Sequence, residues 1–352
     1  MSYIEISLGN LTANYLLLRN KLAQNIACAA AIKADAYGLG ADEVSKALCD
    51  VGCRDFFVAH LGEAVITKNA KCNTYLLHGV SSHEEAKIVA QNNITPILSS
   101  REHVEIYNQY CQSTNQKLPV ILNFDTGMGR LGLAYSDINK LKYDHLQLRY
   151  IMSHLACADE SDHRHNQMQL DNLHKILPAF PGIKVTLANS SGIFLGSKYH
   201  FDMVRPGCAL YGINPTPALA NPMLNVVTIY ARIIQRRILE QDQEVGYGAT
   251  HRLVAGSKVF VVEYGYADGY LRSLSGHSKC FAGGQYLDIA GRISMDLAII
   301  DASSLPESLF NQITHVELLG EHLPVDEIAS AAGTIGYEIL TNLSKRVRRE
   351  YV

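Results

Sequence analysis

No stretch of this chain stays apolar for the ~18 consecutive residues that a membrane-spanning helix needs. Its first residues, Met1-Ser2-Tyr3-Ile4-Glu5-Ile6, lack the cationic run and apolar core of a secretory signal. Basic charge is not in excess either. The sum of 31 Lys and Arg against 34 Asp and Glu leaves a formal charge of -3, the reverse of the balance that steers a protein onto a phosphate backbone. Eight cysteines contain no C-x-x-C pair, and only Cys49 and Cys53 are close in sequence. In a chain this long they read as reduced, mostly buried thiols of a cytoplasmic protein rather than a disulfide framework. Neither H-E-x-x-H nor a supported G-x-S-x-G occurs. His163-x-His165 beside Asp159, Glu160 and Asp162 is the nearest approach to a metal cluster, but residues two apart on a helix face different ways. The segment reads as a solvated helix start, and no metal is expected.

What is present is a chain of 352 residues, 47% hydrophobic, long enough for two domains or one large barrel with a smaller partner. Short, nearly continuous apolar runs recur at Ile26–Ile32, Phe56–Ala59, Thr74–Leu77, Thr95–Leu98, Val120–Phe124, Arg149–Leu155, Val185–Ala188 and Met203–Arg205. Runs of this kind suit parallel strands covered on both faces. Amphipathic stretches lie between them: Leu11, Tyr15, Leu18 and Leu22 in one, Val104, Tyr107 and Cys111 in another. Eight strands, each followed by a helix, predict an α/β fold with an N-terminal (β/α)8 barrel over residues 9–222. A doubly wound sheet is the alternative, because periodicity does not decide closure. Past Pro215, Pro217 and Pro222 the texture changes to β-branched and aromatic runs at Val226–Ile234, Lys258–Tyr264, Tyr286–Ile289 and Leu297–Ile300, separated by glycine turns. Residues 223–352, joined by the opening strand within residues 1–8, are expected to form a mainly-β domain.

Chemistry-bearing residues gather at predicted strand ends. Lys33 follows the first apolar run and precedes Ala34-Asp35-Ala36-Tyr37-Gly38. An amine held beside an apolar wall loses solvation, which lowers its pKa and makes it a better nucleophile; a solvated lysine at a strand exit is the plainer reading. Gly127-Met128-Gly129-Arg130-Leu131-Gly132 contains a literal G-x-G-x-x-G. The acidic residue that a dinucleotide site needs about 20 positions later is missing, since Ile151-Met152-Ser153-His154 stands there. Arg130 is the informative residue, as a guanidinium among glycines reaches a carboxylate bidentately. His154, then Asn189-Ser190-Ser191-Gly192, then Arg205-Pro206-Gly207 end three successive strands, and small residues with free backbone N–H groups suit a phosphate. In the β domain, Gly246-Tyr247-Gly248, Gly265-Tyr266-Ala267-Asp268-Gly269 and Ser294-Met295-Asp296 are packing segments by composition alone.

Taken together, Ala31-Ile32-Lys33-Ala34-Asp35-Ala36-Tyr37-Gly38, Asp125-Thr126-Gly127-Met128-Gly129-Arg130, Met203-Val204-Arg205-Pro206-Gly207, Tyr211-Gly212 and Gly265-Tyr266-Ala267-Asp268-Gly269 resemble the alanine racemase family, in order and over essentially the whole chain. The resemblance implies an isomerase that interconverts L- and D-alanine for peptidoglycan, with pyridoxal 5′-phosphate as cofactor and a homodimer with shared sites. It implies that Lys33 holds the cofactor as an imine and serves as one acid/base, with Tyr247 of the other protomer as the second. Phosphate contacts would come from Tyr37, Ser190, Gly207, Cys208 and Tyr337, with Asn189 beside them. Arg205 would face the pyridine nitrogen, next to His154. Arg130 and the backbone at Met295 would hold the substrate carboxylate, and Tyr266 and Asp296 would shape the entrance. Two bases fit the chemistry, because racemisation removes a proton from one face and returns one to the other.

The sequence departs from the family at Asn123, where members often carry a carbamylated lysine whose negative charge braces the substrate-binding arginine. Asn123 offers only a neutral amide, so a bound anion such as chloride is expected to brace Arg130. Three other classes share parts of the pattern. They are a barrel-only cofactor-binding protein without turnover, a basic amino-acid decarboxylase of the same fold type, and a racemase for serine or another small amino acid.

Overall fold

A computed structural model describes residues 1–66 and 72–352. Two sheets organise it. In the first, all strands are parallel: Ala27–Cys28, Ala30–Ala31, Asp55–Val58, Asn73–Leu76, Ile94–Leu98, Leu118–Asn123, Leu146–Met152, Lys184–Thr186 and Met203–Val204. Ala30–Ala31 pairs with Asp55–Val58 while Ala27–Cys28 pairs with Met203–Val204. Those two short strands are consecutive pieces of the one run predicted at Ile26–Ile32, so the sheet closes on itself as an eight-stranded barrel. Closure is thus decided by hydrogen bonding at the seam, and the open doubly wound alternative falls.

The barrel interior is a packed core of its own. Ala29, Phe57, Tyr75, Ile97, Ile121, Met152 and Met203, from seven of the eight strands, form a cluster separate from the larger one outside. Phe57 and Tyr75 stack within it with ring centroids 4.6 Å apart. Alternation along each strand sends these residues inward and their neighbours outward against the helices. Helix Leu8–Asn20 buries Leu11, Tyr15 and Leu18, and Leu22 lies beyond its end. Helix Arg101–Ser113 buries Val104, Tyr107 and Cys111, with Ser100 capping its N-terminus by accepting from His103 N–H. Not every strand is followed by a full helix. After Leu118–Asn123 there is only the 3-10 turn Tyr135–Lys140, and only short 3-10 turns follow Lys184–Thr186 and Met203–Val204. Gly127, Gly129, Gly132 and Gly196 hold positive φ in these connections, a backbone that helices do not use.

The second sheet runs Lys258–Val262, Ala298–Asp301, Gln285–Ile289, Lys279–Ala282, His315–Leu319, Val227–Ile238, Tyr3–Ile6 and Arg348–Tyr351. Lys258–Val262 also pairs with Val227–Ile238, so six strands close into a small antiparallel barrel. Tyr3–Ile6 pairs antiparallel with Val227–Ile238 and parallel with Arg348–Tyr351. A separate hairpin, Gln243–Val245 with His251–Leu253, carries Tyr247 in its loop. Helices Val325–Ala332 and Gly336–Thr341 bring the C-terminal part back over the mouth of the parallel barrel. His163 caps helix Arg164–Ile176 by accepting from His165 N–H at 3.1 Å. No helix among the described residues is long and apolar enough to cross a membrane.

Candidate active site

At the C-terminal ends of the parallel strands lies a cavity of about 1060 Å³. Lys33, Tyr37, Arg130, His154, Asn189, Ser190, Arg205, Gly207, Cys208 and Tyr337 all line it. They come from strand ends far apart in sequence and from helix Gly336–Thr341. Tyr247, Tyr266, Met295 and Asp296 do not line this cavity.

The segment after Lys33 has an unusual backbone. Ala34, Asp35, Ala36 and Tyr37 all lie at φ between 53° and 57°, a left-handed turn in four non-glycine residues. Each such residue costs about 1–2 kcal/mol, so the surroundings must hold the turn. Glu63 does so from the next strand's exit. Its carboxylate accepts from Ala34 N–H at 2.7 Å, Ala59 N–H at 2.8 Å and His60 N–H at 3.0 Å. On the far side Arg349 donates to Gly38 O at 2.8 and 3.0 Å, and Tyr351 Oη donates to Leu39 O at 2.9 Å. The turn carries the Tyr37 ring between Tyr211 and Tyr337, at centroid distances of 4.6 and 6.0 Å. A Cβ on Gly207 would stand 2.4 Å from Tyr37 Oη, so only glycine lets that phenol and the Gly207 backbone share the space. Ser190 Oγ accepts from Gly207 N–H at 2.9 Å and Ala209 N–H at 3.3 Å. Two backbone donors, a hydroxyl and two phenols therefore meet at one wall. Asn189 also lines it, with its side chain turned into the protein, accepting from Gly192 N–H and donating to Leu155 O.

Arg205 is buried and held on several sides. Nη1 donates to Thr186 Oγ1 at 2.5 Å, and Nη2 donates to Ser153 O at 2.7 Å and Leu187 O at 3.2 Å. Burial brings its pKa down to about 9, still above neutrality, so it stays cationic. His154 Nδ1 lies 3.4 Å from Arg205 Nη2. Facing a donor-only group, that nitrogen acts as acceptor and the proton sits on Nε2. Burial, then the charges of Arg205, Arg130 and Lys33, push the His154 pKa down to about 3. Burial first, and then Arg130, lower the Lys33 pKa, while Glu63 opposes them. The cavity is thus cationic, with an amine that gives up its proton more readily than a free lysine. That donor set suits pyridoxal phosphate, an anionic aldehyde that needs a primary amine, a phosphate cradle and a donor for its ring nitrogen.

Arg130 stands on a loop fixed by Asp125, whose carboxylate accepts from the N–H groups of Gly127, Met128 and Gly129 at 2.8 to 3.2 Å. Asn123 donates its amide to Ser99 Oγ and Leu131 O. Among the described residues no hydrogen bond or ion pair reaches the Arg130 guanidinium.

The other four candidates lie outside the cavity, Tyr247 in the loop of the separate hairpin and the rest in connections of the second sheet. Tyr247 is 70% exposed, Met295 53% and Tyr266 40%. Tyr266 N–H and Ala267 N–H donate to Ser294 O and Met295 O, which brings the Tyr266 and Met295 loops together. Arg346 clamps Asp268 and Asp296 at 2.7 Å each. Sequence reasoning gave no role to Glu63, Asp125, Ser153 or Thr186. Asp125 stood within a quoted motif, and Ser153 and Thr186 are polar residues within apolar runs, while Glu63 left no trace.

Two sequence models match this chain: the N-terminal domain of alanine racemase over residues 6–215 and its C-terminal domain over residues 226–351. An alanine racemase of Rickettsia canadensis is 42% identical, with 99% of this chain and 98% of that protein covered. A catabolic alanine racemase of Agrobacterium fabrum is also 42% identical, over 99% of this chain and 92% of its own length. Among solved structures, alanine racemase from Bartonella henselae with covalently bound pyridoxal phosphate superposes with a TM-score of 0.94 at 38% identity, covering 100% of this chain and 99% of that one. The biosynthetic enzyme of Pseudomonas aeruginosa gives 0.91 at 33% identity, covering 100% and 99%. The parallel barrel with its lysine-bearing mouth, the antiparallel second sheet and these full-length likenesses make this chain a member of the alanine racemase family.

Proposed function

We propose that this chain interconverts L- and D-alanine with pyridoxal 5′-phosphate as cofactor, as a cytoplasmic homodimer whose D-alanine feeds peptidoglycan. The observation that carries this reading is a cationic cavity whose amine, Lys33, has a lowered pKa, while Tyr247 lies outside that cavity, 70% exposed in the loop of the separate hairpin. Racemisation needs a base on each face of the α-carbon. A second copy of the chain, docking its Tyr247 face over the barrel mouth, supplies the missing one. In this reading residues 9–222 form the cofactor-binding barrel, and residues 1–8 with 223–352 complete the partner's site.

Bound in the cavity, the cofactor supplies an electron sink that acidifies the α-C–H of the amino acid it carries. Tyr37 Oη, Ser190 Oγ, Tyr337 Oη and the backbone at Gly207 and Cys208 hold its phosphate, with Asn189 fixing the Ser190 turn. Arg205 would face the cofactor's ring nitrogen. A guanidinium held by Thr186, Ser153 and Leu187 keeps its proton, so Arg205 would act there only as a hydrogen-bond donor, which would weaken the sink and disfavour side reactions. Neutral His154 holds Arg205 from beside. Lys33 Nζ takes or returns the α-proton on one face; its lowered pKa fits that work. Tyr247 Oη does the same on the opposite face. Arg130 grips the substrate carboxylate bidentately, helped by the Met295 backbone, and Tyr266 and Asp296 narrow the way in.

Co-expression of two inactive variants tests this reading. Lys33→Ala and Tyr247→Phe should each lose racemisation as homodimers. Random pairing makes half the dimers hybrids, each with one intact site, so about a quarter of wild-type activity should return. Hybrids that form, bind cofactor and stay inactive would refute a shared site.

A further inference from the structure

At the end of the barrel away from the cavity, Cys49 and Cys72 bring their sulfurs to 2.7 Å, against about 2.05 Å in a disulfide. Both are half-buried cysteines outside any disulfide. Cys49 lies in the last turn of helix Ala41–Asp50, and Cys72 immediately precedes strand Asn73–Leu76. Their backbones are fixed on both flanks. Gly52 N–H and Arg54 Nη1 donate to Cys49 O at 3.1 and 2.6 Å. Cys53 N–H donates to Leu48 O, and Asn73 N–H donates to Arg54 O at 2.7 Å. Cys53 is no competitor, since its sulfur is directed at the carbonyls of Cys28 and Asp55. Cys28, Cys111, Cys208 and Cys280 are buried, and the half-buried Cys157 lies in the loop after strand Leu146–Met152, far along the chain from this pair.

We propose that Cys49 and Cys72 form a reversible disulfide that ties helix Ala41–Asp50 to strand Asn73–Leu76 when the thiol pool becomes oxidised. Oxidised glutathione serves as the oxidant. The Cys49 sulfur attacks its S–S bond, a glutathione thiolate leaves, and Cys49 becomes a mixed disulfide. Cys72 gives its proton to water and attacks the Cys49 sulfur, expelling the second glutathione. Two protein thiols are oxidised and one disulfide is reduced to two thiols. Burial and the neighbouring Cys49 raise the Cys72 pKa to about 12, which keeps the pair reduced and slow to react in a reducing cytosol. The cross-link closes a loop of 23 positions between two elements whose opposite ends lead to the left-handed turn and to Leu77 and His78 of the cavity wall. Its effect is to stabilise the barrel rather than to reshape the site.

The test is incubation of the cofactor-loaded full chain in glutathione buffers of rising potential, followed by acid quench, alkylation and peptide mapping. Two of the eight thiols should disappear together, and one linked peptide pair should carry Cys49 and Cys72. The Tm should rise by about 2–5 °C and fall back on reduction, with kcat changed less than about twofold. Cys72→Ser should stop at the glutathione adduct on Cys49, and Cys49→Ser/Cys72→Ser should show no Tm response. Wild-type chains that keep both thiols, or carry a separate glutathione on each, overturn the proposal. So does a Tm rise in the double variant.

Discussion

The depressed pKa of His154 makes a prediction that can be worked through. In the unfolded chain this imidazole titrates near 6.5, and in the folded one near 3. Between those values the unfolded state binds the extra proton, so the contribution of His154 to stability is level above about pH 6.5 and falls as the pH drops towards 3. At pH 5.0 the linkage relation gives a loss of at most about 2 kcal/mol relative to pH 7.5. His154→Asn removes the titration while its amide oxygen can still accept near Arg205 Nη2, where His154 Nδ1 now lies at 3.4 Å. Scanning calorimetry of both proteins, saturated with cofactor, at pH 7.5 and 5.0 isolates the effect, because every other carboxylate and histidine is common to the pair. Wild type should lose about 3–5 °C more in Tm than the variant over that interval. Parallel losses would mean that His154 is not held neutral by burial and its cationic surroundings.

Three further outcomes follow from the site's contacts. In Glu63→Gln, one side of the three-donor clamp on Ala34, Ala59 and His60 becomes a donor itself, which costs about 1–3 kcal/mol. Glu63 also raises the Lys33 pKa, so the acid limb of the kcat profile should move to lower pH, and a shift to higher pH would contradict the assignment. Gly207→Ala puts a methyl 2.4 Å from Tyr37 Oη while Tyr211 blocks the ring's retreat. Cofactor affinity measured by absorbance titration should fall at least about tenfold, and overpacking should cost about 1–3 kcal/mol in thermal unfolding. Removing halide should raise the KM for alanine several-fold, about 1 kcal/mol of lost carboxylate binding, because among the described residues no hydrogen bond or ion pair braces Arg130; an unchanged KM would count against an anion brace.

The barrel was legible because its strands, covered on both faces, leave apolar runs that turns bound, and Lys33, His154 and Arg205 sit where those runs stop. The second sheet was less so. Lys279–Ala282, His315–Leu319 and Arg348–Tyr351 are short; the first alternates buried and accessible positions, the second buries the charged Glu317, and the last buries none of its residues, so polar residues dilute their pattern. The clean seam at Ile26–Ile32 was also invisible, since one run serves two neighbours through different residues. Residues that would touch a ligand betray themselves by type at a strand end. Those that hold them do not: Glu63 reads as an ordinary helix-start acid, and its partner Ala34 lies 29 positions away.

The left-handed turn after Lys33 shows why that division is physical. Nothing in Ala34-Asp35-Ala36-Tyr37 asks for positive φ, and local propensity opposes it by about 4–8 kcal/mol over the four residues. The conformation exists because contacts from three distant segments converge on it: Glu63 from beneath, Leu340 O against Gly38, and Arg349 with Tyr351 from the last strand. That last strand is itself held in register by Tyr3–Ile6. The backbone that aims Tyr37 and follows the reactive lysine is therefore stabilised by both ends of the chain at once. A site assembled this way forms only when both sheets have folded, which couples the reactivity of Lys33 to completion of the whole protomer.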